Sequence, residues 1–178
     1  MDAYFTENKI EKVAVDVLEI GDVSFHTGII FACDPFTFTL PGMAFARDGS
    51  GGEYHLLDDG SIGYYSSEGE AGRLAENMDD LFSLLVSCVC WHDCCDANQY
   101  ADSKTLEEYG QQQRSVNLED IDVDSLRQIS DAFGITADKE LAPILERFRK
   151  ATQRQPLYQC VFHEDDGSLT ESYGLMFE

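Results

Sequence analysis

Tyr54-His55-Leu56-Leu57-Asp58-Asp59-Gly60-Ser61-Ile62-Gly63-Tyr64-Tyr65 is the stretch from which the fold can be read. Two apolar, aromatic-rich runs flank an Asp-Gly pair, and that pair favours the positive φ of a tight hairpin turn. Downstream, Asn77 is placed to cap a helix whose first turn carries Asp79 and Asp80 against the positive end of the helix dipole. Leu81, Leu84, Leu85, Cys88 and then Trp91 or His92 recur at spacings of three and four, the pattern of one buried helical face. A hairpin followed by an amphipathic helix predicts an α+β fold, mainly antiparallel sheet with helices packed on one face. The core helix is expected over residues 77–95.

Upstream, Val13, Val15, Val17, Val23, Phe25, Ile29, Ile30, Phe31, Phe36 and Phe38 are β-branched or aromatic, many at alternate positions, so residues 1–65 read mostly as strands. Gly21-Asp22 suits a turn, while Asp34-Pro35 and Pro41-Gly42 mark breaks. Arg47-Asp48-Gly49-Ser50-Gly51-Gly52 reads as a flexible turn, since it lacks the Gly-Lys-Ser/Thr ending of a phosphate loop.

After Cys95 the chain turns polar, with a short helix capped by Ser103 and ended near Gly110. Asp122 or Asp124 can start a helix carrying Leu126, Ile129 and Phe133, with Gly134 as its stop. Thr136 can begin another, bearing Leu141, Ile144, Leu145 and Phe148, in which Pro143 must sit in the first turn or kink the helix. Residues 104–152 are thus expected to be helical. Residues 157–177 form a terminal hairpin around Glu164-Asp165-Asp166-Gly167-Ser168, whose Asp-Asp-Gly-Ser turn matches the first hairpin but is too short to define a repeat.

With 178 residues, 43% of them hydrophobic, the chain can bury one core, so one domain over residues 1–178 is expected. Its 34 acidic against 12 basic residues give a formal charge of −22. That field repels phosphate backbones and anionic lipid, which argues against direct nucleic-acid or membrane binding, and it attracts a basic protein partner. The amino terminus lacks the basic and apolar regions of a signal peptide, no apolar run has membrane-spanning length, and a cytoplasmic location is expected.

Six cysteines, four of them within residues 88–95, read as reduced thiols rather than as a disulfide framework. Cys88, Cys90, His92, Cys94 and Cys95 are zinc-ligand types, and on a continuous helix Cys88, His92 and Cys95 would share a face at i, i+4 and i+7. A fourth ligand would have to come from elsewhere, and small buried thiols at a helix end are the simpler reading. A Cys88–His92 thiol–imidazole pair lacks an assignable orienting residue. His26, His55 and His163 stand alone in strand-like segments. No catalytic residue, metal or cofactor is therefore assigned, and the chain is not read as an enzyme; a zinc- or thiol-dependent role for the Cys88–Cys95 cluster is the minor alternative.

Residues 48–102 hold twelve acidic residues and one basic one, Arg73, whereas residues 139–154 hold five basic and two acidic. This asymmetry predicts an acidic face over the hairpin and its following loop. Asp58, Asp59, Glu68 and Glu70 are its expected charges, with Tyr64 and Tyr65 as aromatic anchors for a partner.

The run Phe45-Ala46-Arg47-Asp48-Gly49-Ser50-Gly51-Gly52 with the hairpin that follows it, leading to Asn77-Met78-Asp79-Asp80-Leu81-Phe82-Ser83-Leu84-Leu85, resembles the central block of the SUKH superfamily. That block has an apolar residue and Ala before an Asp-Gly turn, a two-strand meander, and a helix whose Phe or Leu residues pack on the sheet. The resemblance covers residues 45–89. It implies a single non-enzymatic α+β domain, commonly an immunity protein that neutralises a toxin of a polymorphic toxin system; the acidic face makes a basic toxin domain such as a nuclease the expected partner. Regulatory and scaffolding members, including some tied to cell-wall synthesis, give the alternative function.

Overall fold

Turn chemistry organises the sheets. The computed structural model describes residues 19, 20, 23–25, 36–121, 124, 126, 127, 130, 131 and 134–177. Four of its loops share one design, each closed by a backbone bond across three looped residues: Asp48 N to Gly52 O at 3.1 Å, Leu57 N to Ser61 O at 2.9 Å, Ser66 N to Glu70 O at 2.8 Å and Glu164 N to Ser168 O at 3.0 Å. The third looped residue is always a glycine, Gly51, Gly60, Gly69 or Gly167, at φ between 84° and 94°. This is the three-residue hairpin loop that ends in a left-handed residue, a conformation only glycine adopts without strain.

Side chains brace the loops. Asp59 Oδ1 accepts from Ser61 N at 3.0 Å, Asp166 Oδ1 from Ser168 N at 2.8 Å, and Asp48 Oδ1 from Ser50 N at 3.0 Å and Gly52 N at 2.7 Å. The two Asp-Asp-Gly-Ser turns are thus half of a set of four. The turn expected to be flexible at residues 47–52 is instead tied down by a buried carboxylate.

These loops join a six-stranded antiparallel sheet of β1 (Glu19–Ile20), β2 (Val23–Phe25), β4 (Gly42–Asp48), β5 (Glu53–Leu57), β6 (Ile62–Tyr65) and β7 (Ala71–Ala75), in that spatial order. A second sheet places β3 (Phe36–Phe38) beside the terminal hairpin of β8 (Cys160–His163) and β9 (Leu169–Glu171), with Phe36 opposite Phe162 and Phe38 opposite Cys160. Pro41-Gly42 is where the chain passes from one sheet to the other. The strand expectations at Val13, Val15, Val17, Ile29, Ile30 and Phe31, and the readings of His26 and Cys33, lie outside the described residues.

Alternation on β5 and β6 sends side chains to two covered faces. Tyr54, Ile62 and Tyr64 join the helical core with Leu74, Leu81, Leu85, Trp91, Leu145 and Phe148. Leu57 instead joins Ala71, Tyr158 and Cys160, against which Phe36, Phe38, Tyr65 and Phe162 pack. The result is a single α+β domain with helices on one face of the large sheet and the small sheet on the other.

Among the described residues three long helices cover the first face. In α1 (Met78–Cys88), Asn77 caps as expected, its side chain accepting from Asp80 N at 2.9 Å, and Leu81, Leu84, Leu85 and Cys88 are buried. The helix stops at Cys88, well short of the expected residue 95. Val89 adopts φ 69° and ψ −62° while Cys90 N donates to Cys88 O at 2.9 Å. That is a γ-turn of the rare positive-φ kind, and holding a β-branched residue there costs on the order of 1–3 kcal/mol.

Helix α2 (Ser103–Asp120) is capped by Asp102, one residue before the expected Ser103, through Lys104 N at 2.9 Å and Thr105 N at 3.0 Å. It also runs through Gly110 instead of ending there. A Cβ at Gly110 would lie 3.0 Å from both Leu141 Cβ and Leu145 Cδ1, so this glycine permits close approach of α3 (Ala142–Gln153). Pro143 sits in the first turn of α3, and Leu141, Ile144, Leu145 and Phe148 are buried as the spacing predicts. With no capping side chain of its own, α3 borrows one: Glu107 Oε2 on α2 accepts from Leu141 N at 2.7 Å and Ala142 N at 2.8 Å.

Thr136 does not start this helix; residues 135–140 form a non-helical connection in which Asp138 N donates to the buried Ser87 Oγ at 3.1 Å. Leu126 is buried in the preceding helical turns, and Gly134 takes a positive φ of 64° at their end, while Asp122, Ile129 and Phe133 lie outside the described residues. Among the described residues no helix is long and apolar enough to cross a membrane.

The Gly110 contact sets a test. Alanine improves helix propensity by about 1 kcal/mol but must push α3 aside, and overpacking costs about 1–3 kcal/mol. Urea unfolding of Gly110→Ala is expected to show a net loss of about 1 kcal/mol; a gain would mean α2 and α3 are not packed this closely.

Candidate functional site

Burying Asp48 demands compensation, and its partners define the most chemically organised site in the described structure. The side chain is fully buried at the end of β4, and Oδ1 accepts from Ser50 N, Ser50 Oγ at 2.8 Å and Gly52 N. The Tyr64 hydroxyl on β6 donates to Oδ2. Burial by itself would raise the Asp48 pKa, but the Tyr64, Ser50 and Gly52 hydrogen bonds and the nearby His92 outweigh it and hold the carboxyl below its ordinary 3.8.

The γ-turn at Val89 brings the loop after α1 onto this carboxylate. Trp91 is buried, donates from Nε1 to Tyr54 Oη at 2.8 Å, and stacks on His92 at 3.7 Å between ring centroids. His92 Nε2 lies 3.1 Å from Tyr64 Oη and 3.9 Å from Asp48 Oδ2, while Nδ1 faces Cys90 Sγ at 4.0 Å. Because the Tyr64 proton is committed to Asp48, its oxygen accepts from His92 Nε2–H. That leaves the Nδ1 lone pair for Cys90. Sequence reasoning weighed His92 with Cys88; the structure pairs it with Cys90 and supplies the missing orienting group.

The other thiols are packed away. Cys88, Cys94, Cys95 and Cys160 are buried, whereas Cys90 is half-buried. Cys94 and Cys95 donate to the carbonyls of Cys90 and Trp91, at 3.9 Å and 3.7 Å. A hydrogen bond with Cys88 and then burial hold the Cys94 thiol far above its ordinary value, and burial does the same for Cys95 and pushes Cys160 up to about 11. Since α1 ends at Cys88, the helical face proposed for Cys88, His92 and Cys95 does not exist. Among the described residues no group of three His, Cys, Asp or Glu is arranged to hold a metal ion.

The expected acidic face does not assemble as one patch. Asp58 and Asp59 occupy the β5–β6 loop, and Glu68 and Glu70 the β6–β7 loop, at opposite ends of β6. Asp59 is internally paired: Arg154 Nη2 lies 2.8 Å from Oδ2, and the buried Arg73, which also donates to Ser61 Oγ and the Arg154 and Pro156 carbonyls, lies 3.5 Å away. Tyr64 is only 1% exposed and Tyr65 packs on Phe36, Phe38 and Phe162, so neither is displayed for a partner as expected.

Exposed aromatics occur where the sequence reading did not look. Tyr173 is 77% and Phe177 57% exposed on the C-terminal strip. Tyr173 N donates to Gly69 O at 3.0 Å and Ala71 N to Tyr173 O at 2.8 Å, while Phe177 N donates to Cys95 O at 3.1 Å. The strip therefore runs from the Glu68 and Glu70 loop to Asp96. Glu171 and the exposed loop residues Glu164, Asp165 and Asp166 continue the acidic surface, and residues 155–178 contain no Lys or Arg. A positional signal existed: Tyr173 and Phe177 lie where the strand alternation has ended. Their placement depends on unforeseen backbone pairings, of Tyr173 with Gly69 and Ala71 and of Phe177 with Cys95 and Ala97.

No family model, curated protein or solved structure matches the chain.

Two measurements check the Asp48 assignment. A carboxyl held below 3.8 contributes stability that is complete above that pH and lost as pH falls through its lower folded value. The stability of Asp48→Asn is expected to be lower at neutral pH and to fall less steeply than the parent below about pH 4. Tyr64→Phe, which removes one donor from a buried charge, is expected to cost about 1.5–3 kcal/mol; an effect near zero would show that the hydroxyl does not serve Asp48.

Proposed function

We propose that the chain is a non-enzymatic protein-binding domain that docks a basic partner through the C-terminal strip and its acidic surroundings. One observation carries this reading: Tyr173, at 77% exposure, stands beside a surface of Glu68, Glu70 and Glu171 in segments that contain no Lys or Arg. A large exposed aromatic within a single-sign field is the arrangement in which the ring supplies affinity and the charge supplies speed. The resemblance of residues 45–89 to the SUKH superfamily supports a more specific form, an immunity protein covering the basic active site of a toxin such as a nuclease. A regulatory partner would use the same surface.

The test is binding to the toxin domain encoded beside this chain, followed by stopped-flow mixing at two salt concentrations. Glu68→Lys/Glu70→Lys/Glu171→Lys is expected to slow association about tenfold or more at low ionic strength, with the difference shrinking in high salt. Tyr173→Ala is expected to raise dissociation about 30-fold, the effect of a hot-spot side chain worth about 2 kcal/mol. Asp59→Asn should instead lower stability and leave association unchanged. Undiminished binding by both surface variants would discard this interface, and failure of co-expression to protect cells from the toxin would discard the immunity form.

A further inference from the structure

The loop that follows the γ-turn at Val89 holds chemistry that docking does not use. Cys90 is half-buried, whereas Cys88, Cys94, Cys95 and Cys160 are buried. Its sulfur faces His92 Nδ1 at 4.0 Å, and the imidazole is held from the other side by Tyr64 Oη at 3.1 Å and by the buried Asp48 carboxylate at 3.9 Å. The tautomer is set by this chain of donors, because Tyr64 donates to Asp48 and must accept from His92 Nε2–H. Stacking of the ring on Trp91 at 3.7 Å and 27° between planes limits its rotation. A thiol, a base aimed at it, and an anion that stabilises the protonated base are the parts of an activated nucleophile.

We propose that Cys90 is a thiol-exchange site for low-molecular-weight disulfides, with His92 as its base and the Tyr64–Asp48 pair as the group that orients and charges that base. His92 Nδ1 takes the Cys90 proton. The thiolate attacks one sulfur of the disulfide, a Cys90–sulfur bond forms, and the disulfide's own S–S bond breaks. The departing thiolate recovers the proton from the imidazolium. Cys90 ends as a mixed disulfide, one small thiol is released, and no other oxidant or reductant is needed. The donors that cradle Asp48 keep it anionic, so the imidazolium formed midway has a fixed counter-charge. Cys94, Cys90, Asp93 and Glu70 are the titratable groups that act on the neighbouring Cys95.

The experiment is reaction of the full folded chain with an aromatic disulfide whose leaving thiolate is coloured, with each modified cysteine identified by peptide mass mapping so that Cys33 is scored separately. Cys90 is expected to react at least tenfold faster than Cys88, Cys94, Cys95 or Cys160. An ordinary cysteine with a pKa of about 8.5 is only about 3% thiolate at pH 7, so complete ionisation raises the reactive fraction about 30-fold, enough for a tenfold or greater rate gain. His92→Gln is expected to slow Cys90 about tenfold at pH 7 and to move its rate–pH midpoint upward. Exposure alone would leave both unchanged. Tyr64→Phe keeps the ring packing and is expected to slow Cys90 in the same direction, which provides a second reading if His92→Gln unfolds. Oxidised glutathione should give the same mixed disulfide at Cys90. Equal rates at Cys90 and the buried thiols, or a Cys90 rate and pH profile unmoved by the folded variants, would overturn the assignment.

Discussion

A carboxylate with no exposed surface needs donors and favourable charge around it, and Asp48 recruits these from three separate parts of the chain. Its own loop supplies Ser50 and Gly52, β6 supplies Tyr64, and the segment after α1 supplies His92. Each demand constrains geometry. Gly52 must be glycine, because a Cβ there would sit 2.2 Å from Tyr64 Oη and 2.5 Å from Asp48 Oδ2. Tyr64 must point to the helical face, which sets the register of β6 and places Gly63 and Tyr65 toward the small sheet. The loop after α1 must turn back sharply, and Val89 accepts an unfavourable backbone conformation to do so. The strain at Val89 thus places His92 where it hydrogen-bonds Tyr64 and lies close to the buried charge.

The same logic divides the charges of the whole molecule. Asp59 and Glu76 are held by Arg154, with Arg73 beneath Asp59, where the β5–β6 loop meets the end of α3. Glu53 is buried between His55 and Arg47, and the His55 bond leads the causes that hold its carboxyl below the usual range against burial. His55 in turn meets Tyr158 Oη at 3.0 Å, and Phe38 stacks on Tyr158 at 5.4 Å, so this pair joins the two sheets. These acids are structural. Composition counts them with Glu68 or Glu171, which make no salt bridge among the described residues.

What was legible in the chain was local. Asn77 capping α1, Pro143 in the first turn of α3, the face of Leu141, Ile144, Leu145 and Phe148, and the two Asp-Asp-Gly-Ser loops all depend on residues within a few positions of one another. What was not legible depended on distant contacts. Gly110 looks like a helix stop until Leu141 and Leu145 are found against it, and α3 appears uncapped until Glu107 arrives from α2. Val89 carries no stop signal, since a β-branched residue is the last choice for a positive φ. Consequently the Cys88–Cys95 stretch kept its helical appearance, and with it the wrong thiol for His92. Pairing of β3 with β8 joins segments more than 120 residues apart, and no pattern in either strand specifies the other.

Self-repulsion in a chain of −22 opposes the compact state. Around Asp59, Glu76 and Glu53 that repulsion is relieved internally by Arg73, Arg154 and Arg47. Along the C-terminal strip and the β6–β7 loop there is no Lys or Arg within the same segments to relieve it. Backbone hydrogen bonds join the strip to Gly69 and Ala71 at the sheet and to Cys95 and Ala97 after α1, while Leu175 packs on Gly72 and, with Met176, on the helical core. A cation brought to this surface would therefore do two things at once, binding the acids and reducing the repulsion that works against the strip. For the basic partner proposed above, steering and stabilisation of the strip would arise from the same carboxylates.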